Sequence, residues 1–467
     1  MNRDRIVPLI VAVALFMENI DSSIIATSLP AIATDIGTDP IALKVAVTSY
    51  LLSLAVFIPA SGWTADRLGA RTVFRAAIAL FVLGSLGCAF AGSLSQFVAA
   101  RILQGMGGAM MTPVARLVLV RSVDKRALVG MMAWVTTPSM IGPLIGPPLG
   151  GFITTYFTWH WIFLINVPIG IIGAILVTRY IDPVRAPNLE PFDPVGFILC
   201  ALAVAGLAFG FSTAGLMPFR FVVILVGVGA VASIGYYVHA RRTAFPILDI
   251  SLMRLPTFRT SVIGASLFRV GVGALPFLLP LLLQVGFGLS PLQSGLITFA
   301  GAIGSLGMKT VVTRIIGAFG YRRVLVVNAI INSAIMMGYG IFTQQTPTAL
   351  IITLLILGGF FRSLQFTTVN TLAYDEVEPQ RVSRATTLAA VAQQMSLSMG
   401  VAVGAFVVET SVWWRGENAI AAGDFNIAFV VVGLISGLSF FSFLRLHPDA
   451  GSEMSGRRIS KPPENKE

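Results

Sequence analysis

Long apolar runs, broken only by short polar or Gly/Pro segments, follow one another from end to end of this 467-residue chain. Nothing else constrains its fold as strongly. A helix crossing a bilayer needs about 20 apolar residues. The runs fall at about 6–30, 42–65, 73–93, 96–120, 127–152, 160–181, 194–213 and 220–240. Six more fall at about 259–285, 291–315, 323–343, 348–371, 384–410 and 424–445. Hydrophobic residues make up 55% of the chain and charged residues 11%, whereas a soluble domain carries about 25% charge. So few charges cannot cover soluble domains of this total size. The sequence therefore predicts an all-α integral membrane protein of fourteen transmembrane helices. The first run carries Glu18 and Asp21 and exceeds a short signal-peptide core. The polar tail from Leu446 reads as disordered.

The basic residues set the orientation. Net charge is +11, and it is placed on alternate connections. One side holds Arg3/Arg5, Arg67/Arg71/Arg75, Arg121/Lys125/Arg126 and Arg179/Arg185. It also holds Arg241/Arg242/Arg254/Arg259, Arg322/Arg323, Arg381/Arg384 and the tail. The other side has Lys44, Arg220 and Arg415 at its margins. Basic connections stay in the cytoplasm. The pattern predicts a multi-pass cell (inner) membrane protein with both termini cytoplasmic. The charge is then a topology signal attracted to anionic lipid, and nucleic acid is not a partner.

A short repeat divides the chain. Gly69-Ala-Arg71-Thr-Val73-Phe74 follows the second run, and Gly320-Tyr-Arg322-Arg-Val324-Leu325 follows the tenth. Each lies between the second and third spans of a six-span block, and parallel halves are one known transporter plan. The expected division is a six-helix half at 1–181, an inserted two-helix hairpin with its loops at 182–258, a six-helix half at 259–445, and a tail at 446–467. The hairpin, poor in polar residues, is expected at the periphery.

Polar groups inside the runs are the functional candidates. Glu18 and Asp21 are three residues apart and share a helix face. A carboxylate in the bilayer must be protonated, paired or facing water, and burial favours the protonated form. These are the demands of a proton-coupling site; a static ion pair is the alternative. Arg101 and Gln104 head Arg101-Ile-Leu-Gln104-Gly105-Met-Gly107-Gly108. Arg101 either faces the cavity and tunes a carboxylate or extends to the interface; the glycines permit close helix approach. Gly62, Asp66, Arg67, Gly69 and Arg71 mark the turn after the second run. Gly69 suits a tight turn, and Asp66 can pair with Arg67 or Arg71 or with a neighbouring helix N-terminus, a conformational latch; an inside-positive loop is the alternative. Gly142, Pro143, Gly146, Pro147, Gly150 and Gly151 form a Gly/Pro face in the fifth run, a pivot or seal. In the last six spans Arg269 and Arg362 are intramembrane cations that pair or face water.

These residues, in this order, resemble the major facilitator superfamily, in its 14-span branch of drug:proton antiporters. Asp21 through Pro30 matches that branch's first-span motif. Asp66, Gly69 and Arg71 match the superfamily's second-to-third-span loop, and Arg101, Gln104 and Gly105 its fourth-span motif. Gly142 to Gly151 matches the antiporter motif, continued by Trp159-His160-Trp161-Ile-Phe163-Leu-Ile-Asn166-Val-Pro168. The likeness covers nearly the whole chain, with its motifs concentrated in the first 170 residues. Thr64 and Ala70 depart from the usual loop residues, the second loop copy has no acid like Asp66, and Glu18 is additional. The resemblance implies the major facilitator fold and a proton-driven exporter of drugs or other lipophilic small molecules. A specific metabolite, organic acid or metal chelate is the alternative cargo.

Other classes fare poorly. His160, His239 and His447 lie in separate regions, which offers neither a catalytic constellation nor a metal site. Gly307-Met308-Lys309-Thr310 lacks the spacing of a phosphate loop. Cys88 and Cys200 sit in apolar runs and read as small buried hydrophobes. No enzyme activity, metal or cofactor is expected beyond a proton gradient; the partners are substrate, protons and lipid, and no protein partner is indicated.

Overall fold

The computed structural model describes residues 3–122, 128–183, 190–417 and 419–455. Lys125, Arg126, Arg185 and the end of the tail lie outside them. The described residues form helices and no strand. This is the satisfactory solution in lipid, where every backbone donor and acceptor must be paired within the segment. The main helices are α1 (Arg3–Ile24), α2 (Lys44–Leu68), α3 (Ala70–Ala89), α4 (Leu94–Ser122), α5 (Leu128–Tyr156) and α6 (Trp161–Tyr180). There follow α7 (Pro194–Ser212), α8 (Phe219–Ala240), α9 (Pro256–Leu281) and α10 (Pro291–Lys309). The last are α11 (Tyr321–Gly338), α12 (Thr348–Leu372), α13 (Val382–Arg415) and α14 (Ala422–Gly437).

Among the described residues, twelve of these helices, with their short extensions, are long and apolar enough to cross a membrane. The tenth run is not one straight span: α10 and the following helix Val312–Phe319 meet at 58°, and together they make a thirteenth. The fifth run forms the 29-residue α5, about 44 Å long at 1.5 Å per residue, which is outside that count. The first run also ends early. After α1 a short 3₁₀ turn, Ile25–Thr27, leads into a separate helix, Leu29–Asp35, with Pro30 in its first turn, where proline's missing N–H is tolerated.

The two matching loops share one conformation. Gly69 (φ 92°, ψ 134°) and Gly320 (φ 77°, ψ 158°) each close one helix and open the next. Each N–H donates to the carbonyl four residues back, Ala65 and Ile316. A positive φ at that corner favours glycine over any residue with a Cβ.

Call the end where α1 begins proximal and the other end distal. Short connections make successive helices antiparallel. The distal core draws on both six-helix sets: Leu29, Leu43, Phe97, Trp159 and Phe163 join Phe277, Leu281, Phe342, Val408 and Phe425. The proximal cores are separate. One contains Ile6, Val73, Phe74, Val118 and Ile181; the other contains Met308, Val312, Tyr321, Leu372 and Leu446. The two sets are thus joined distally and have separate apolar cores proximally.

The inserted pair is more than a peripheral hairpin. Its lipid side exposes Val231 and Ile234, but Cys200, Val204, Ala208 and Tyr236 pack in one cluster with Leu52 and Ala55 of α2 and Val391 of α13. It therefore lies along the seam between the two sets. Asp249, in the link to α9, caps the turn at Ile250–Arg254 through the Ser251 N–H and pairs with Arg381 at 2.7 Å. Burial alone would raise its pKa. The Ser251 hydrogen bonds and the Arg381 guanidinium outweigh that and hold it below the usual carboxylate value.

The tail differs from expectation over its first ten residues. Leu446 is buried in the proximal core, and the Gly451 N–H donates to Asp375 Oδ2 at 2.9 Å. An apolar anchor and a satisfied backbone donor order residues that composition alone reads as loose.

Candidate functional site

Asp21 of α1 is completely buried, and its oxygens accept from side chains of α4 and α6. Arg101 Nη1 donates to Oδ2 at 2.8 Å. Gln104 Nε2 and Asn166 Nδ2 donate to Oδ1 at 2.8 and 2.9 Å. Both amides also donate to the Ser85 hydroxyl, at 2.8 and 3.2 Å. Arg101 Nη1 reaches Gln104 Oε1 at 2.6 Å as well, and its guanidinium lies 4.2 Å from the centre of the Tyr50 ring. Each oxygen of Asp21 therefore faces a hydrogen-bond donor, and a positive charge balances the carboxylate. This is how a bilayer-depth ion can be retained, because its desolvation is offset by pairing and hydrogen bonding.

Arg101 is 1% exposed, so it does not extend to the interface. The spacing of Arg101 and Gln104 places both on one turn of α4, facing α1. Close helix approach supports this. A Cβ on Gly105 would lie 2.6 Å from Ser53 Cβ, and one on Gly84 would lie 2.5 Å from the Gln104 backbone. Three members were not assigned to the site from sequence. Asn166 lay inside a quoted motif, without a role; Ser85 and Tyr50 are ordinary residues of apolar runs. Their only sequence signal is a polar group at bilayer depth.

Glu18 is half-buried one turn before Asp21 and accepts from Thr112 Oγ1 at 2.6 Å. It is near Asp21 in sequence but outside the Asp21 hydrogen bonds described above.

The Gly/Pro face of α5 has two partners. Gly142, Gly146 and Gly150 face α1 around Asn19, Ser23 and Ile24. Ser23 Oγ donates to the Gly142 carbonyl at 3.3 Å, and Thr27 Oγ1 to the Pro147 carbonyl at 3.2 Å. Gly151 instead abuts Pro291 and Leu292 of α10, while Gly295 of α10 abuts Pro147 and Pro148. This face thus joins α1 to the second set at the distal end; Pro143 points outward. The helix runs unbroken through its prolines.

A second distal join was not foreseen. Lys44 is fully buried and its ammonium meets both oxygens of Glu409 on α13, at 2.7 and 2.6 Å. Its third partner is the Ala214 carbonyl, 2.9 Å away in the α7–α8 loop. One ammonium therefore ties α2, α13 and the inserted pair. Lys44 stood at a loop margin in the sequence and Glu409 near the end of an apolar run.

At the proximal turn, Gly62 is exposed, Asp66 half-buried and Gly69 buried. The Arg67 guanidinium lies over the Trp63 ring at 5.4 Å. Arg71 Nε has no hydrogen-bond partner among the described residues.

The second-set cations form their own locus. Arg269 is 3% exposed and donates from Nη2 to Asn370 Oδ1 at 2.6 Å, with Phe366 beneath its guanidinium. Arg362 lines a cavity of about 680 Å³ between α10 and α12, together with Ser305, Lys309, Phe366 and Asn370. The histidines stay dispersed: His239 pairs with Asp193 at 2.7 Å, His160 stacks on Trp159, and His447 lies near Asp449.

The sequence profile of the Major Facilitator Superfamily matches residues 11–238 and 261–463. A Yersinia enterocolitica protein named "Putative multidrug resistance protein MdtD" is 36% identical over 461 residues, covering 97% of each chain. A Yersinia pestis protein of the same name is 37% identical over 449 residues, covering 95% of this chain and 96% of its own. Among solved structures, a D-xylose–proton symporter superposes with a TM-score of 0.66 at 16% identity, over 95% of this chain and 98% of its own. An auto-inhibited POT family peptide transporter superposes with a TM-score of 0.68 at 15% identity, over 99% of both chains. At these identities the structural likeness concerns the fold.

Proposed function

The chain belongs to the Major Facilitator Superfamily, and on that premise we propose that it is a proton-coupled exporter of drugs or other lipophilic small molecules. It is a multi-pass membrane transporter, not an enzyme. The observation that carries proton coupling is the buried Asp21–Arg101 pair, completed by Gln104 and Asn166. A proton arriving at Asp21 cancels the charge on which these donors converge. Arg101 must then find another partner, and helices α1, α4 and α6 can shift against one another. Binding and release of that proton on opposite sides would couple the gradient to alternating access. One proton crossing 100 mV supplies about 2.3 kcal/mol before any pH term. The multidrug naming of the relatives supports a drug-like cargo.

The positive-inside pattern assigns the proximal end to the cytoplasm of the inner membrane. The shared distal core and separate proximal cores then fit an inward-facing state. In this reading the α5 glycine face and Lys44–Glu409 seal the outer end. The Gly62–Arg71 turn acts as the inner latch, and Asp66→Asn is expected to slow conformational exchange several-fold. Exchange followed by distance labels on the two halves tests this; an unchanged rate would reduce the turn to a topology signal.

The decisive test of export uses inside-out vesicles under an imposed pH gradient, with a panel of labelled lipophilic compounds. Uptake that a protonophore collapses is the expected result. Uptake insensitive to the protonophore would remove proton coupling. The cavity beside Arg362 and Lys309 favours a second cargo class, an organic acid.

A further inference from the structure

The cavity of about 680 Å³ at the proximal end of α10 and α12 has an unusual charge balance. Its volume suits a small molecule. Its charged lining residues among those described are Lys309 and Arg362, both cations. A guanidinium at membrane depth pairs with an acid or faces water. Arg362 has no hydrogen bond or ion pair with a described residue, and it lines the cavity. Asn370 adds to this polarity. Arg269 can only donate, so it orients Asn370 Oδ1 toward itself and leaves the amide N–H groups as the remaining polar face of a cavity-lining residue. Lys309 is exposed at the end of α10.

We propose that this cavity binds the anionic group of a small organic acid, with Arg362 as the direct partner, Asn370 as a neutral donor and Lys309 as the steering charge at the rim. The planar fork of a guanidinium matches a carboxylate's two oxygens. Like charges in a low-dielectric cleft concentrate an opposite charge there. Phe366 lines the same space and lies against Arg269, so an aromatic or aliphatic body has an apolar wall beside the cationic group. This assignment rests on the transport reading above and specifies its cargo class: an acid with an apolar portion. A lipid headgroup offers the same anionic chemistry, and the experiment separates the two sources.

The test is equilibrium binding to the full-length protein in nanodiscs, without any gradient. The probes are carboxyfluorescein as the organic anion and ethidium as the cation. Wild type in phosphatidylcholine nanodiscs is expected to bind carboxyfluorescein. Arg362→Gln is expected to lower the ratio of anion to cation affinity at least tenfold, with Arg362→Lys recovering part of it. Lys309→Gln should lower the ratio about threefold. Adding phosphatidylglycerol distinguishes the sources: unchanged carboxyfluorescein binding assigns the site to a soluble acid, and competitive loss assigns it to the headgroup. No anion binding by wild type in phosphatidylcholine, or an unchanged ratio in folded Arg362→Gln, overturns the proposal. If Arg362→Gln does not fold, an unchanged ratio in Lys309→Gln does so equally. Anion binding without proton-driven uptake would leave this site standing and remove the coupling reading. Proton-driven uptake of ethidium with no anion bound would do the reverse.

Discussion

Asp21→Asn is expected to reduce proton-driven uptake into inside-out vesicles to background, a loss of about 100-fold or more, while the folded protein remains in the membrane. The reason lies in the polarity of the site. Arg101, Gln104 and Asn166 all present N–H groups to the carboxylate. An asparagine has one accepting oxygen, so its NH₂ must face a donor whichever way the amide turns. Arg101 also loses its counter-charge. Removing one member of a buried ion pair commonly costs about 3–5 kcal/mol. Here the loss is tempered because Arg101 keeps Gln104 Oε1 and the Tyr50 ring face. The variant can therefore fold and still lack a titrating group. Substrate binding at equilibrium, measured beside uptake, separates a coupling defect from a misfolded protein. Normal proton-driven uptake by folded Asp21→Asn would remove Asp21 from the mechanism.

The second large effect is expected at the distal seal. Lys44→Ala removes three hydrogen bonds, two to Glu409 and one to the Ala214 carbonyl. Hydrogen bonds to charged groups contribute about 1.5–3 kcal/mol each when intact. The Glu409 side chain is 23% exposed and can be rehydrated, so a net shift of about 1–3 kcal/mol is the reasonable scale. That is about a 5- to 150-fold change in the balance between closed and open distal ends. Labels on Ser95, exposed at the distal start of α4, and Gln345, exposed in the distal loop before α12, should show a longer distance population in Lys44→Ala. Glu409→Gln should move the distribution in the same direction by less, since one oxygen still accepts. An unchanged distribution in both would make this contact a static staple. The inserted pair enters the same seal. Gly215 has φ +85°, and a Cβ there would lie 2.7 Å from Glu409 Oε2. The loop can therefore lay its carbonyl on Lys44 only while that corner stays unsubstituted.

Much of the site was legible because charge at bilayer depth is rare enough to stand out. Asp21 and Arg101 are conspicuous in apolar runs, and Gln104 lies one helical turn beyond Arg101. The structure brings these three together, but it gives Glu18 a different partner, Thr112. Ser85 and Asn166 were given no role because a single hydroxyl or amide in a span can equally satisfy its own backbone, as Ser212 does with the Ala208 carbonyl. Lys44 and Glu409 escaped for another reason. Each lies near a run's end, where an interfacial charge is unremarkable. The bend after Lys309 was also hidden, since an apolar stretch records length and not direction. Leu446 and Gly451 were read as loose tail because their partners lie in a core built from other helices.

The sequence by itself determined the solvent, the helical class, the alternation of basic connections and the prominence of Asp21 and Arg101 as charges within apolar runs. These follow from local physics: a bilayer demands about 20 apolar residues per crossing and admits a charge only where something repays its desolvation. Tertiary structure alone decided which polar groups meet, where the inserted pair lies and which end is joined. Asp21 meets its partners across 80 to 145 positions, and Lys44 meets Glu409 across 365. No local period records such encounters. They arise when whole helices pack, and the same sequence must permit them to separate when the transporter changes state.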